Sequence, residues 1–89
     1  AADKYVAAIC AAPSVLSELG LLKGKRATCH PAFESHMPGT ELTFESVTVD
    51  GNIITGQGLG AAFGFAFELV KTLAGEQKVN KIKDDICYR

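Results

Sequence analysis

The sequence predicts an α/β domain with parallel strands, and three stretches carry that reading. Val6-Ala7-Ala8-Ile9 is an apolar run of strand length without alternation, as in a central parallel strand covered on both faces. Val47-Thr48-Val49 and Ile53-Ile54-Thr55 flank Asp50-Gly51, a dipeptide that between β-branched runs is the strongest short-range hairpin signal. From Ala61 to Leu73, Phe63, Phe65, Phe67, Leu69, Val70 and Leu73 wrap much of a helix, and a helix so apolar is expected to be covered on most sides.

In chain order, the first strand spans Lys4 to Ile9 and the first helix Pro13 to Leu19, since proline is tolerated in a first turn and Gly20 is a suitable stop. Cys10 falls in the bend between them. A thiol there lies near free backbone N–H groups and the positive end of a helix dipole, which favour thiolate over thiol, as in a nucleophile elbow. A buried cysteine packed as a small apolar residue under the sheet is the other reading. A second strand, Arg26 to Cys29, is closed by His30-Pro31, because the residue before proline is held extended and proline cannot donate to a ladder. His30 thus reaches the same sheet edge as Cys10, the edge where open α/β sheets bind ligands. Side-chain alternation turns Cys29 away from His30 and into the interior. Phe33 to Met37 reads as one helical turn ended by Pro38-Gly39, and Gly56-Gln57-Gly58-Leu59-Gly60 as a tight turn before the long helix. Past Gly75, Glu76 to Lys83 is a shorter polar helix with Val79 and Ile82 inward, followed by a tail in which Ile86, Cys87 and Tyr88 could dock.

Composition excludes several classes. The net charge is −1, with no basic run or basic-aromatic interleaving, so no nucleic acid and no membrane surface is expected as a partner. No apolar stretch has spanning length, and Ala1 to Asp3 lacks a secretory pattern, so the expected location is cytoplasmic. Three cysteines without CxxC spacing fit free thiols in a reducing compartment. Cys29, His30 and His36 do not form a zinc spacing, and no metal is expected.

The AAICAAP elbow around Cys10, the strand-end His30-Pro31 and the DGNIITGQGLG stretch from Asp50 to Gly60 together resemble the ThiJ/PfpI family, which includes the Parkinsonism-associated protein deglycase. The resemblance covers nearly the whole chain. It implies a flavodoxin-like, doubly wound α/β sandwich with a mostly parallel sheet, usually dimeric, of which residues 1–89 would be the C-terminal half of a single domain. Carried over by position, Cys10 is the nucleophile, His30 the nearby pocket histidine and the Ala11 N–H one arm of an oxyanion site. The acid that pairs with the cysteine in many members would belong to the N-terminal half, not to Glu18. Ala11 also stands where the protease-like branch has a histidine, so the resemblance does not imply a peptidase.

The implied function is a cofactor-independent deglycase or glyoxalase-type enzyme acting on glyoxal, methylglyoxal or their protein adducts through a Cys10 hemithioacetal. A redox sensor or stress chaperone that oxidises the same cysteine is the alternative. The expected partners are the N-terminal half of the same domain and a second copy in a homodimer, because neither the apolar strand nor the apolar helix finds cover in 89 residues. Intact mass with size-exclusion light scattering checks this: a longer chain, a second polypeptide or a dimer is expected, and a monodisperse, cooperatively folding species of 9.4 kDa would contradict it.

Overall fold

A computed structural model describes residues 4–88. Strands β1 (Val6–Ile9), β2 (Arg26–Ala27), β3 (Glu41–Leu42), β4 (Val47–Asp50) and β5 (Ile53–Gly56) combine with helices α1 (Ala12–Glu18), α2 (Ala62–Ala74) and α3 (Glu76–Asp85). Single 3-10 segments cover Pro31–His36 and Leu59–Ala61. The main sheet has the order β1-β5-β4. β1 runs parallel to β5, with Val6 opposite Ile53 and Ile9 opposite Gly56. β4 and β5 form the antiparallel hairpin expected around Asp50-Gly51, and Gly51 has a φ of 60°, as that tight connection requires.

The centre of this sheet is β5 rather than β1. All four residues of Ile53–Gly56 are buried, because the strand is paired on both edges and covered on both faces, whereas β1 is paired within the described residues only to β5. A lack of alternation correctly marked β1 as a parallel strand but did not say which strand this chain would surround. β2 is also shorter than the expected Arg26 to Cys29. After Ala27 the Thr28 N–H donates to Oγ1 of Thr55 at 2.9 Å, and the Thr28 hydroxyl donates to the Glu45 carbonyl at 2.7 Å, so side chains replace the ladder. β2 pairs instead with the two-residue β3, in parallel, and is tied to β4 by the Arg26 N–H donating to Oδ2 of Asp50 at 2.7 Å.

Pleat alternation divides the interior. Ile53 faces a core with Leu22, Ala27, Cys29 and Met37, onto which Val6, Leu16, Phe33 and Leu42 pack. Ile54 and Gly56 point to the other face, which α2 crosses. Gly56 is there for space: a methyl group on it would stand 2.9 Å from Cγ1 of Ile9 and 3.0 Å from Cδ1 of Phe65. α3 packs against α2 with Val79 buried; of the tail residues expected to dock, Tyr88 does so, its ring lying 4.8 Å from that of Phe67 and 5.8 Å from that of Phe63, while Ile86 and Cys87 are exposed. The Lys83 Nζ sits 5.0 Å above the Phe67 ring, a cation–π contact at the helix pair's end.

As expected, the described residues do not supply all-round cover for the long helix. No residue of α2 is buried, and Phe63 and Leu73 are 59% and 72% exposed, because one sheet and one polar helix shield only part of its circumference. α1 likewise leaves Val15 and Leu19 exposed.

Overpacking at Gly56 supplies a direct check of the contact between α2 and the sheet. Gly56→Ala is expected to destabilise the protein by about 1–3 kcal/mol in denaturant unfolding, the range for inserting a methyl group into a filled core. Gly60→Ala, at a position with open space around it, should change stability far less.

Candidate active site

β1 delivers Cys10 to the C-terminal edge of the sheet in an unusual backbone state. Its φ is 66°, in the left-handed region that residues other than glycine rarely occupy. Two hydrogen bonds hold it there. The Cys10 N–H donates to the Gly56 carbonyl at 3.0 Å, extending the β1–β5 ladder by one step, and the Cys10 carbonyl accepts from the His30 N–H at 2.7 Å. The chain then turns into α1, which opens at Ala12 with Pro13 in its first turn. The Ala11 carbonyl accepts from both the hydroxyl and the N–H of Ser14, at 2.6 and 3.0 Å, and is thereby committed to the helix start. The Ala11 N–H has no partner among the described residues, and Cys10 is exposed.

The structure brings Cys10, Ala11 and His30 together at one edge, as their sequence positions predicted. What it adds is the direct backbone bond between Cys10 and His30. It also orients the imidazole: Nδ1 of His30 accepts from the Ala32 N–H at 3.1 Å, capping the 3-10 segment that starts at Pro31. A neutral His30 ring held this way carries its proton on Nε2, which leaves that atom as the donor. The capping role was hidden in the sequence, where His30-Pro31 signalled only an extended residue before a proline.

An open cleft of about 490 Å³ begins at His30, within the usual size range of small-molecule sites. Its walls are His30, Pro31, Ser46, Gln57 and the run from Gly58 to Ala61. Cys10 is not one of the lining residues; its backbone bonds reach His30, which lines the cleft, and Gly56, the residue before Gln57. Ser46 was not singled out in the sequence, and Gln57 entered there only as part of the turn before the long helix. Ser46 arrives from the loop before β4, where no periodicity or motif distinguishes it, and is held by the Gln57 N–H donating to its carbonyl at 2.8 Å. The glycine stretch thus acts as a cleft wall, with Gly58 so near the imidazole that a methyl group on it would lie 3.7 Å from Cδ2 of His30.

Cys29 has the interior position expected from alternation and is 1% exposed. Its thiol contacts the His30 carbonyl at 3.4 Å. Burial, and secondarily the negative charge of Glu34, push its pKa up, which keeps it a thiol. Cys87 is exposed, far along the chain on the tail that packs on α2. Among the described residues no three His, Cys, Asp or Glu side chains converge as a metal-binding group, and no helix is long and apolar enough to cross a membrane.

The sequence profile of the DJ-1/PfpI family matches residues 1–72. The chain belongs to the DJ-1/PfpI family. Among curated DJ-1/PfpI relatives, it is 39% identical over 79 residues to Protein dj-1beta of Drosophila melanogaster, covering 86% of this chain and 42% of that protein. It is 36% identical over 84 residues to the glutathione-independent glyoxalase DJR-1.2 of Caenorhabditis elegans, covering 92% and 45%. It is 40% identical over 87 residues to the isonitrile hydratase of Pseudomonas putida, covering 96% and 38%. The crystal structure of Drosophila DJ-1beta superposes with a TM-score of 0.90 at 34% identity, over 96% of this chain and 47% of that one. The chain therefore has the flavodoxin-like DJ-1/PfpI fold, and spans less than half the length of these relatives.

The two site-proximal cysteines should separate chemically. On brief treatment with iodoacetamide followed by mass spectrometry, Cys10 is expected to be modified and Cys29 spared until the protein unfolds. Because the folded-state pKa of Cys29 is raised, the folded state keeps this proton longer than the unfolded one. Its contribution to stability is then full below the ordinary value of 9.0 and declines as pH rises above it. Denaturant midpoints of wild type and Cys29→Ser at pH 8 and pH 10 test this, the difference between them shrinking at the higher pH.

Proposed function

We propose that this chain carries the nucleophile of a cysteine-dependent, cofactor-independent enzyme acting on glyoxal, methylglyoxal or their adducts on protein side chains. The observation that supports it most is the pairing, through one backbone hydrogen bond, of a left-handed, exposed Cys10 with His30, which lines an open cleft. A glyoxalase among the relatives supports the same reaction class, and the isonitrile hydratase shows that the family also includes hydration chemistry.

In the proposed reaction the Cys10 thiolate attacks the aldehyde carbon. A C–S bond forms, the carbonyl π pair moves to oxygen, and the Ala11 N–H stabilises the oxyanion before it is protonated. His30, with Nδ1 accepting from the Ala32 N–H and Nε2 left as the donor, would exchange protons with the resulting hemithioacetal. With methylglyoxal, transfer of the aldehydic hydrogen to the neighbouring carbonyl gives a thioester, and water releases the 2-hydroxy acid and the free thiol. This internal redox step needs no external oxidant, metal or organic cofactor.

The rest of the domain and a second copy of the protein are the proposed partners. Together they would cover exposed Val15, Leu19, Phe63 and Leu73, and the domain's other half would supply the acid beside Cys10. A reducing, cytoplasmic setting suits three free thiols.

Methylglyoxal consumption by the intact protein, with product followed by NMR, tests the proposal. Cys10→Ser is expected to lower kcat/KM at least about 10³-fold, and His30→Ala by about 10²–10⁴-fold, the range for a positioned general acid-base group. Full activity in Cys10→Ser would overturn the assignment.

A further inference from the structure

We infer that the buried hydroxyl of Thr55 is a positioning group for the Cys10–His30 pair: it fixes where the chain beyond β2 crosses the main sheet, and so holds the His30 N–H against the Cys10 carbonyl. Its catalytic consequence rests on Cys10 being the reacting group, as in the function proposed above.

A row of alternate amides shows the crossing. In an extended segment successive N–H groups point to opposite edges, so those of Arg26, Thr28 and His30 share one edge. Each is taken by the main sheet. The Arg26 N–H donates to Oδ2 of Asp50 at 2.7 Å, that of Thr28 to Oγ1 of Thr55 at 2.9 Å, and that of His30 to the Cys10 carbonyl at 2.7 Å. The acceptors lie at the end of β4, on β5 and just past β1, which is the order of those strands across the sheet. Residues 26–30 therefore run across the sheet instead of joining it, and Thr55 holds the middle of the crossing.

The same bonds form a closed circuit. Thr55 and Gly56 end β5. The Thr55 hydroxyl accepts from the Thr28 N–H, two residues before His30; the His30 N–H donates to the Cys10 carbonyl; and the Cys10 N–H donates back to the Gly56 carbonyl at 3.0 Å. Both peptide groups of Cys10 and the approach to His30 are thus tied to two adjacent residues. Only the Thr55 acceptor in this circuit is a side chain, so a substitution can open it there and nowhere else. Thr28 and Thr55 are both buried, which keeps water from replacing a lost acceptor. The β5 backbone is already engaged in its ladders with β1 and β4. Without the hydroxyl, the Thr28 N–H has to move to find a partner, and His30 moves with it.

Two substitutions separate positioning from packing. Thr55→Val keeps the shape of the side chain and loses the acceptor, whereas Thr55→Ser keeps the acceptor and loses a buried methyl group. Both are expected to lower the denaturant midpoint, so stability does not rank them as the site does. In amide hydrogen exchange followed by NMR on the intact protein, protection is measured relative to the amides of the β1–β5 ladder. Thr55→Val is expected to lower that of the Thr28 and His30 N–H groups by about tenfold or more, and Thr55→Ser to leave it within about threefold of wild type. Cys10-dependent kcat/KM for methylglyoxal should follow the amides, falling about 10–100-fold in Thr55→Val and staying within about threefold in Thr55→Ser. Equal loss of protection in the two variants, full protection of His30 in Thr55→Val, or an unchanged Cys10-dependent kcat/KM in that variant overturns the inference. If Thr55→Val does not fold, wild type and Thr55→Ser decide it: equal protection of the His30 N–H in both supports the positioning role, and a His30 N–H that exchanges like a free amide in either overturns it. If Cys10→Ser still consumes methylglyoxal, the proposed activity falls while amide exchange continues to decide what Thr55 holds.

Discussion

Three segments distant in sequence meet at the two peptide groups of Cys10. Its N–H is bonded to Gly56 at the end of β5 and its carbonyl to the His30 N–H beyond β2, so β1, β5 and the chain after β2 share one residue as their joint. The left-handed backbone of a residue other than glycine costs about 1–3 kcal/mol. Each of the two hydrogen bonds contributes about 0.5–1.5 kcal/mol net. The two terms are of equal size, so the elbow persists because the ladder on one side and the His30 loop on the other offset its strain. An imidazole, a thiol and the wall of a cleft are collected by that one joint.

A buried set of threonines directs His30 to that joint. Thr28 and Thr55 are 1% and 0% exposed, and the bond from the Thr28 N–H to the Thr55 hydroxyl ends β2 before it can continue beside β3. Thr28 also holds the Glu45 carbonyl, and Thr48, likewise buried, bonds with Thr43 and Glu45, so the loop that carries Ser46 is fixed by the same network. Loss of the Thr55 hydroxyl would strand the buried Thr28 N–H, a penalty of about 1–3 kcal/mol that rivals a methylene deletion in the core. The polar interior is therefore as much a part of the cleft's construction as the apolar one.

Much of this was legible in the residues. Pro13, Gly20, His30-Pro31 and Asp50-Gly51 act through local backbone physics, and the helix, turn and hairpin they mark are present with boundaries within about one or two residues. The common edge of Cys10 and His30 followed from strand ends and the inward Cys29 from alternation, both short-range rules. Three features were not legible, because each depends on a partner far along the chain. Which strand is central depends on what pairs with β5; β2 ends early because of a hydroxyl on Thr55; and Ser46 is held at the cleft by the Gln57 N–H and by the threonine bonds to the residues beside it. The resemblance to the family gave roles to Cys10, His30 and Ala11, but the tautomer of His30 came from the Ala32 bond alone.

The uncovered apolar surfaces and the site obey different dependencies. Val15, Leu19, Phe63 and Leu73 leave this chain with helices half shielded, and relatives of about twice its length are the natural measure of what would shield them. Yet the bonds that form the elbow, the cap on His30 and the link from Gln57 to Ser46 are all internal to the chain. A covering segment or second copy would thus stabilise the helices and enclose the cleft from outside, changing solvent access and local dielectric around a geometry already fixed. Reactivity at Cys10 divides in the same way: the backbone link between Cys10 and His30 belongs to this chain, whereas any exclusion of water that strengthens the electrostatics around it would have to come from a surface laid over the exposed edge.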